Sequence, residues 1–215
     1  MMCRLFIRSL FTLIPAALAF GTIAAQQRIV GECMITYKVT VTADTLPDKD
    51  MAEALRTATR TVYIKGSNTR NDLTGAAFSQ STYFDKNSGE AVVLREFGND
   101  RFITRLDTAA WARQNERFSG AAFVPSAGSK TIAGYECRRG TVNLKDGTSL
   151  TVYYSTAITP SVKEFEYCFR EVPGLVLEYS GTEKGQQITY TAAQVNLSPV
   201  PVSRFEIPTK GYRML

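Results

Sequence analysis

Along most of the chain, apolar and polar residues alternate with a period of two. Ile35, Tyr37, Val39 and Val41 are separated by Thr36, Lys38 and Thr40 and followed by Thr42, the pattern of a strand with one buried and one wet face. Segments of the same kind recur at 61–65, 81–85, 91–96, 101–105 and 121–124, and again at 175–179 and 187–197. The stretch 131–159 reads as a hairpin. Thr131-Ile132-Ala133-Gly134-Tyr135-Glu136-Cys137-Arg138-Arg139 leads into a Lys145-Asp146-Gly147-Thr148 turn and returns as Leu150-Thr151-Val152-Tyr153-Tyr154. Turn signals such as Lys65-Gly66-Ser67-Asn68, Lys86-Asn87-Ser88-Gly89 and Gly98-Asn99-Asp100 punctuate the rest. Connections this short join antiparallel neighbours, because a parallel crossover takes roughly a dozen residues or more. The expectation is a meander of about nine to eleven strands.

Three stretches break the alternation. Residues 50–59 are rich in helix formers, with Met51, Ala54, Leu55 and Ala58 on one stripe. Residues 107–118 open with Asp107 or Thr108 as a cap and set Trp111, Asn115 and Phe118 on one side. Ser161-Val162-Lys163-Glu164 has the spacing of a capping box, followed by Phe165, Cys168, Phe169 and Val172 at helical intervals until Pro173-Gly174 ends the run. The predicted class is therefore α+β and mainly antiparallel β, with two or three helices burying their apolar stripes against the sheet.

The first 25 residues carry Arg4 and Arg8, then an apolar run interrupted by Pro15, then Ala24 and Ala25. This is the build of a cleavable secretory signal peptide, and the run is short of the roughly 20 apolar residues of a membrane span. The expected organisation is a signal peptide over residues 1–25 and a single β-rich domain over residues 26–215, exported to a Gram-negative periplasm. Cys33 follows Glu32 and lies well downstream of the apolar run, so a lipoprotein is not expected. Loss of the signal lowers the formal net charge of +5 by two. The remaining cations are dispersed among acidic residues, which argues against a nucleic-acid partner.

The exported chain keeps Cys33, Cys137 and Cys168. An odd number in an oxidising compartment fits one bridge and one buried thiol. Cys137 with Cys168 is the favoured pair, because both lie in the half of the chain that forms one continuous motif. The other two pairings, and three thiols packed as small apolar residues, are the alternatives.

Reactive chemistry is thin. The chain has no histidine, which removes histidine-based triads, HExxH zinc sites and imidazole general bases. It has no GxSxG elbow, SxxK pair, phosphate-cradling glycine loop or CxxC. Arg138 follows Cys137 but points to the opposite face of a strand, so it cannot activate the thiol. Glu164 and Glu166 diverge if the segment is helical, with Glu164 better used as the capping partner. Neither an enzyme nor a cofactor or metal is expected. Asn196-Leu197-Ser198 matches a glycosylation acceptor and is read as chance, because Pro199 follows it.

Lys130-Thr131-Ile132-Ala133-Gly134-Tyr135-Glu136-Cys137, then Tyr153-Tyr154-Ser155-Thr156-Ala157-Ile158, then Val172-Pro173-Gly174-Leu175-Val176-Leu177-Glu178-Tyr179 resemble GLPGLI-type and related envelope proteins of Bacteroidota. Those proteins are similar in turn to the LolA and LolB lipoprotein carriers. The resemblance implies a curved, LolA-like half-barrel whose concave face is covered by helices around an apolar cavity. On the residues themselves, Tyr37, Trp111, Tyr154, Phe165, Phe169, Leu175, Leu177 and Tyr190 either line such a space or fill a close-packed core. A lined space predicts a lipid or lipoprotein acyl chain as ligand. A filled core predicts an envelope scaffold with a protein partner.

Overall fold

The computed structural model describes residues 28–42, 55–164, 166–183 and 185–215. The signal segment and the front of the 50–59 helix lie outside them. Strands β2 (Glu32–Thr42), β3 (Thr59–Lys65), β4 (Asn68–Thr74), β5 (Phe78–Asp85), β6 (Ala91–Phe97) and β7 (Asp100–Leu106) form one antiparallel meander. After helix α1 (Thr108–Gln114) the chain builds β8 (Ala122–Ile132), β9 (Tyr135–Asn143), β10 (Ser149–Ser155), β12 (Leu175–Glu183) and β13 (Gln186–Asn196). β13 then pairs with β2, joining both meanders and a last short strand, β14 (Arg213–Met214), into a 12-stranded open sheet of order β14-β7-β6-β5-β4-β3-β2-β13-β12-β10-β9-β8. β14 lies parallel on the β7 edge. β1 (Arg28–Val30) and β11 (Ile158–Pro160) form a separate parallel pair.

β2 shows why the alternation is decisive. Cys33, Ile35, Tyr37, Val39 and Val41 are buried, while Lys38, Thr40 and Thr42 are exposed. Its pairing with β3 puts Ile35 opposite Val62 and Cys33 opposite Ile64, so the apolar faces coincide. Bulges in the pairings of β13 with β2, β8 with β9 and β10 with β12 break the register and bend the sheet. The opposite face of the first meander is covered by the C-terminal segment. Ile207 and Tyr212 pack on Tyr83, Val92, Leu94 and Ile103, and the Arg204 guanidinium stands 5.4 Å from the centre of the Tyr63 ring.

Three expectations need correction. The hairpin segment that starts at Thr131 contains a turn the alternation concealed. Ala133 and Gly134 take φ of 48° and 83°, giving a two-residue connection between β8 and β9 with Ile132 opposite Tyr135. The polar run of β4, to which the alternation assigns no strand, pairs along its whole length with β3 and β5. Finally, α1 is the one complete α-helix among the described residues, where two or three were expected. It forms where predicted, with Asp107 as N-cap accepting from the Ala110 N–H at 2.7 Å, and a 3-10 turn at Glu116–Phe118 continues it.

The predicted capping box at Ser161 does not form. The Ser161 hydroxyl donates to the Gly66 carbonyl at 2.9 Å, and Lys163 Nζ donates to the Val172 carbonyl at 2.5 Å. These ties hold residues 161–164 and 166–174 as an irregular strap with a 3-10 turn at Tyr167–Phe169. Of residues 50–59, Leu55 and Arg56 are helical, and Leu55 and Ala58 pack on Val39, Val41 and Ile188.

Candidate functional site: a cavity between sheet, helix and strap

A cavity of about 400 Å³ opens where the middle of the sheet faces α1 and the strap. Its sheet wall follows from register. Gln80, Leu73 and Arg60 form one cross-strand row over β5, β4 and β3, which Tyr37 on β2 continues into an adjoining hollow, and Thr82 and Asn71 begin the next row. From the second meander, Tyr179 on β12 lies opposite Tyr190 on β13, their rings stacked at 4.6 Å. Opposite the sheet stand Trp111, Gln114 and Asn115 from α1 and its C-cap, and Glu166 and Phe169 from the strap. The walls mix amides and hydroxyls with rings and aliphatic groups, so the space is amphipathic where the expectation was an apolar one.

Arg60 dominates the site. It is 5% exposed, and its guanidinium carbon lies 5.3, 5.4 and 5.8 Å from the ring centres of Tyr37, Tyr179 and Tyr190, within cation–π range. Its Nε donates to Asn71 Oδ1 at 2.9 Å, and its terminal nitrogens donate to the Tyr179 hydroxyl and the Glu166 carboxylate. Burial by itself would lower the guanidinium pKa. Glu166 and the flanking Tyr179 and Tyr37 more than offset this, and the net shift is upward. The same burial, with Glu166 nearby, raises Tyr37 and Tyr179, although Arg60 works against it. The group is a fixed cation beside buried phenols whose own ionisation burial opposes.

Trp111 forms the other notable wall. Its ring packs on Phe84 at 5.7 Å and Tyr167 at 6.3 Å and is 6% exposed. Its indole Nε1–H has no hydrogen-bond partner among the described residues. A buried donor without an acceptor is costly and is ordinarily met by water or a ligand.

The candidates from the sequence divide into four groups. Trp111, Phe169 and Tyr190 line the cavity. Tyr37 and Leu175, with Phe169 again, line an adjoining hollow of about 20 Å³ under the strap. Tyr154 and Leu177 lie in the core, Tyr154 against Phe123 at 5.2 Å and Leu177 fully buried among Cys33, Ile35 and Cys137. Phe165 lies outside the described residues. Arg60 and Glu166 were not picked out. The signal for Arg60 was available: it stands two residues before Val62 and four before Ile64, in phase with the buried face.

The expected Cys137–Cys168 bridge is not formed, and the three cysteines among the described residues are free thiols. Cys137 lies in the cluster around Cys33, whereas Cys168 packs beside Phe169 and Val172 in another. Burial raises Cys33 to about 12 and Cys137 to about 11, and it raises Cys168 as well. High thiol pKa values are those of packed structural residues. Among the described residues no group of His, Cys, Asp and Glu could hold a metal ion, and no helix is long and apolar enough to cross a membrane.

These features define a mainly antiparallel, open-sheet protein with an amphipathic cavity between sheet, helix and strap. No protein-family model matches the chain, and no curated protein does, so the GLPGLI-type resemblance has no support from that side. Solved structures with some likeness include PNGF-II, at 14% identity over 86% of this chain and 31% of that one, with a TM-score of 0.48. The Pseudomonas aeruginosa MucA/MucB complex gives 12% identity over 82% of this chain and 56% of the other, with a TM-score of 0.42. The Mycobacterium tuberculosis lipoprotein LppX gives 12% over 80% and 90%, with a TM-score of 0.31. The chain spans about a third of PNGF-II and just over half of the chain matched in the MucA/MucB complex, and likeness at this level assigns no family.

Proposed function

We propose that this is an exported, non-enzymatic binding protein that carries a lipid or lipoprotein acyl chain in the cavity between sheet, α1 and strap. The observation that carries the reading is the cavity itself. About 400 Å³ remains open in the middle of a well-packed sheet protein, where close packing is the rule. That volume lies in the range of small-ligand sites. Rings and aliphatic groups from Phe84, Phe118, Leu150 and Ile188 offer apolar burial, worth about 25 cal/mol per Å² of apolar surface removed from water. An open cavity favours carriage over a scaffold with a filled core.

The reading places residues 1–25 as a cleaved signal, residues 26–215 as one domain, and the protein in the periplasm, where it would move lipid or meet an envelope partner. The test is mass spectrometry of extracts from the mature protein, together with titration of the delipidated protein with a fluorescent fatty acid. A co-purifying lipid and saturable uptake are expected. Absence of both would overturn the reading.

A further inference from the structure

Three features of the cavity point to one ligand chemistry. The first is a charge that never switches off, sunk in the wall: Arg60, 5% exposed and ringed by three tyrosines. The second is an unused buried donor, the Trp111 Nε1–H, on a residue 6% exposed that lines the same space. The third is the origin of the counter-charge. The carboxylate on Arg60 comes from Glu166, which belongs to the irregular strap and is 19% exposed, so it has a route to water that Arg60 lacks. Arg117 adds a second guanidinium to the lining, held by Asp146 at 3.9 Å at an exposed position. The space thus offers donors and positive charge, and its one carboxylate comes from the irregular strap at a partly exposed position.

We infer that the cavity selects an amphiphile with a carboxylate head, and that this head replaces Glu166 on Arg60. The inference rests on the binding role proposed above. A planar carboxylate matches the guanidinium edge already used by Glu166 and can accept two parallel hydrogen bonds. The aliphatic tail lies along Leu73, Phe84 and Ile188, with the Trp111 N–H as a further donor for the head. Displaced Glu166 turns its side chain toward the solvent it already partly meets. Phe169 and Glu166 also wall the small hollow holding Tyr37 and Leu175, so the exchange joins the two spaces and lengthens the room for the tail.

The chain holds a single tryptophan, so emission of Trp111 reports occupancy directly. Delipidated protein is titrated with laurate, methyl laurate and monododecyl phosphate, all below their aggregation concentrations. Laurate is expected to bind about tenfold or more tighter than the ester, consistent with one charge-assisted interaction. Glu166→Gln, which removes the competing carboxylate, is expected to raise the ratio of laurate to ester affinity severalfold. Equal binding of acid and ester by the unmodified protein overturns the inference and leaves the cavity role standing. Tighter binding of the phosphate overturns the carboxylate assignment. No response to any of the three overturns both. The unmodified protein alone decides the acid-to-ester ratio should the variant fail to fold.

Discussion

Arg60 on β3 and Glu166 on the strap are 106 residues apart in the chain and form an ion pair at the cavity wall. The pair fastens an irregular segment to the middle of the sheet. Removal of one partner from a buried pair is expensive because the other is stranded. Glu166→Ala is expected to lower stability by about 2–4 kcal/mol, less than a fully isolated charge would, since Asn71, Tyr179 and the rings remain. Arg60→Met with Glu166→Leu should recover most of that loss. Urea unfolding of the three proteins measures it, and a double variant as unstable as the single one would show that the pair is not the cause.

Trp111 joins α1 to the sheet and to the strap through Phe84, Ala91, Val162 and Tyr167. Trp111→Ala should cost about 3–5 kcal/mol. Trp111→Phe should cost only about 1–2 kcal/mol, because the lost N–H bonds nothing among the described residues. Thermal melts of both variants make the comparison, and similar losses would mean that the N–H has a partner in solution.

At Gly174 a Cβ would meet the Ser155 carbonyl oxygen at 2.1 Å, and backbone cannot step aside as a side chain can. Gly174→Ala is expected to destabilise by about 2–3 kcal/mol. At Gly31 a Cβ would meet nothing within 4 Å, so Gly31→Ala should stay within about 0.5 kcal/mol of the parent. The midpoints of denaturant unfolding separate them.

Burial holds Cys33 and Cys137 protonated, with values of about 12 and 11 against an ordinary 9.0. Tyr212 is pushed to about 12 by burial and by its hydrogen bond to Glu96. Each folded-state value lies above its unfolded one, so the unfolded chain ionises first as pH rises. The stability these groups contribute is complete below about pH 9 and is lost progressively above it. The melting temperature should fall between pH 9 and pH 11, and the native thiols should ignore a thiol reagent at pH 8 until denaturant is added. Fast native labelling at Cys33 or Cys137 would contradict the packing.

The sequence made the sheet legible wherever one face was dry and the other wet, as along β2 and in the β9–β10 hairpin. It made α1 legible because Asp107 caps it locally. β4 was illegible for a physical reason. Asn71 and Leu73 face the cavity, while Arg70 on the other face is held by Asp72 at 2.7 Å and the Arg204 carbonyl at 2.9 Å, so neither face demands apolar residues. The strap failed as a helix because Ser161 and Lys163 found distant carbonyls, which no local spacing can announce. The candidate site is legible in its rings and illegible in its charge: no local spacing announces that Glu166 meets Arg60 while Glu164 pairs with Lys86 at 3.0 Å.

The seam between β2 and β13 also sets the order of assembly. Thr42 and Gln187 face each other there from positions 145 residues apart. Every other neighbour of β2 and β3 in the sheet is close in sequence, so the first meander gains its pairings early while one side of β2 waits for the end of the chain. During that wait β2 presents an unpaired edge beside Cys33, Ile35, Tyr37, Val39 and Val41, the kind of edge that recruits other chains. Long-range closure of this sort makes folding slow. A chain that arrives unfolded therefore has its greatest need of a chaperone just before β13 docks.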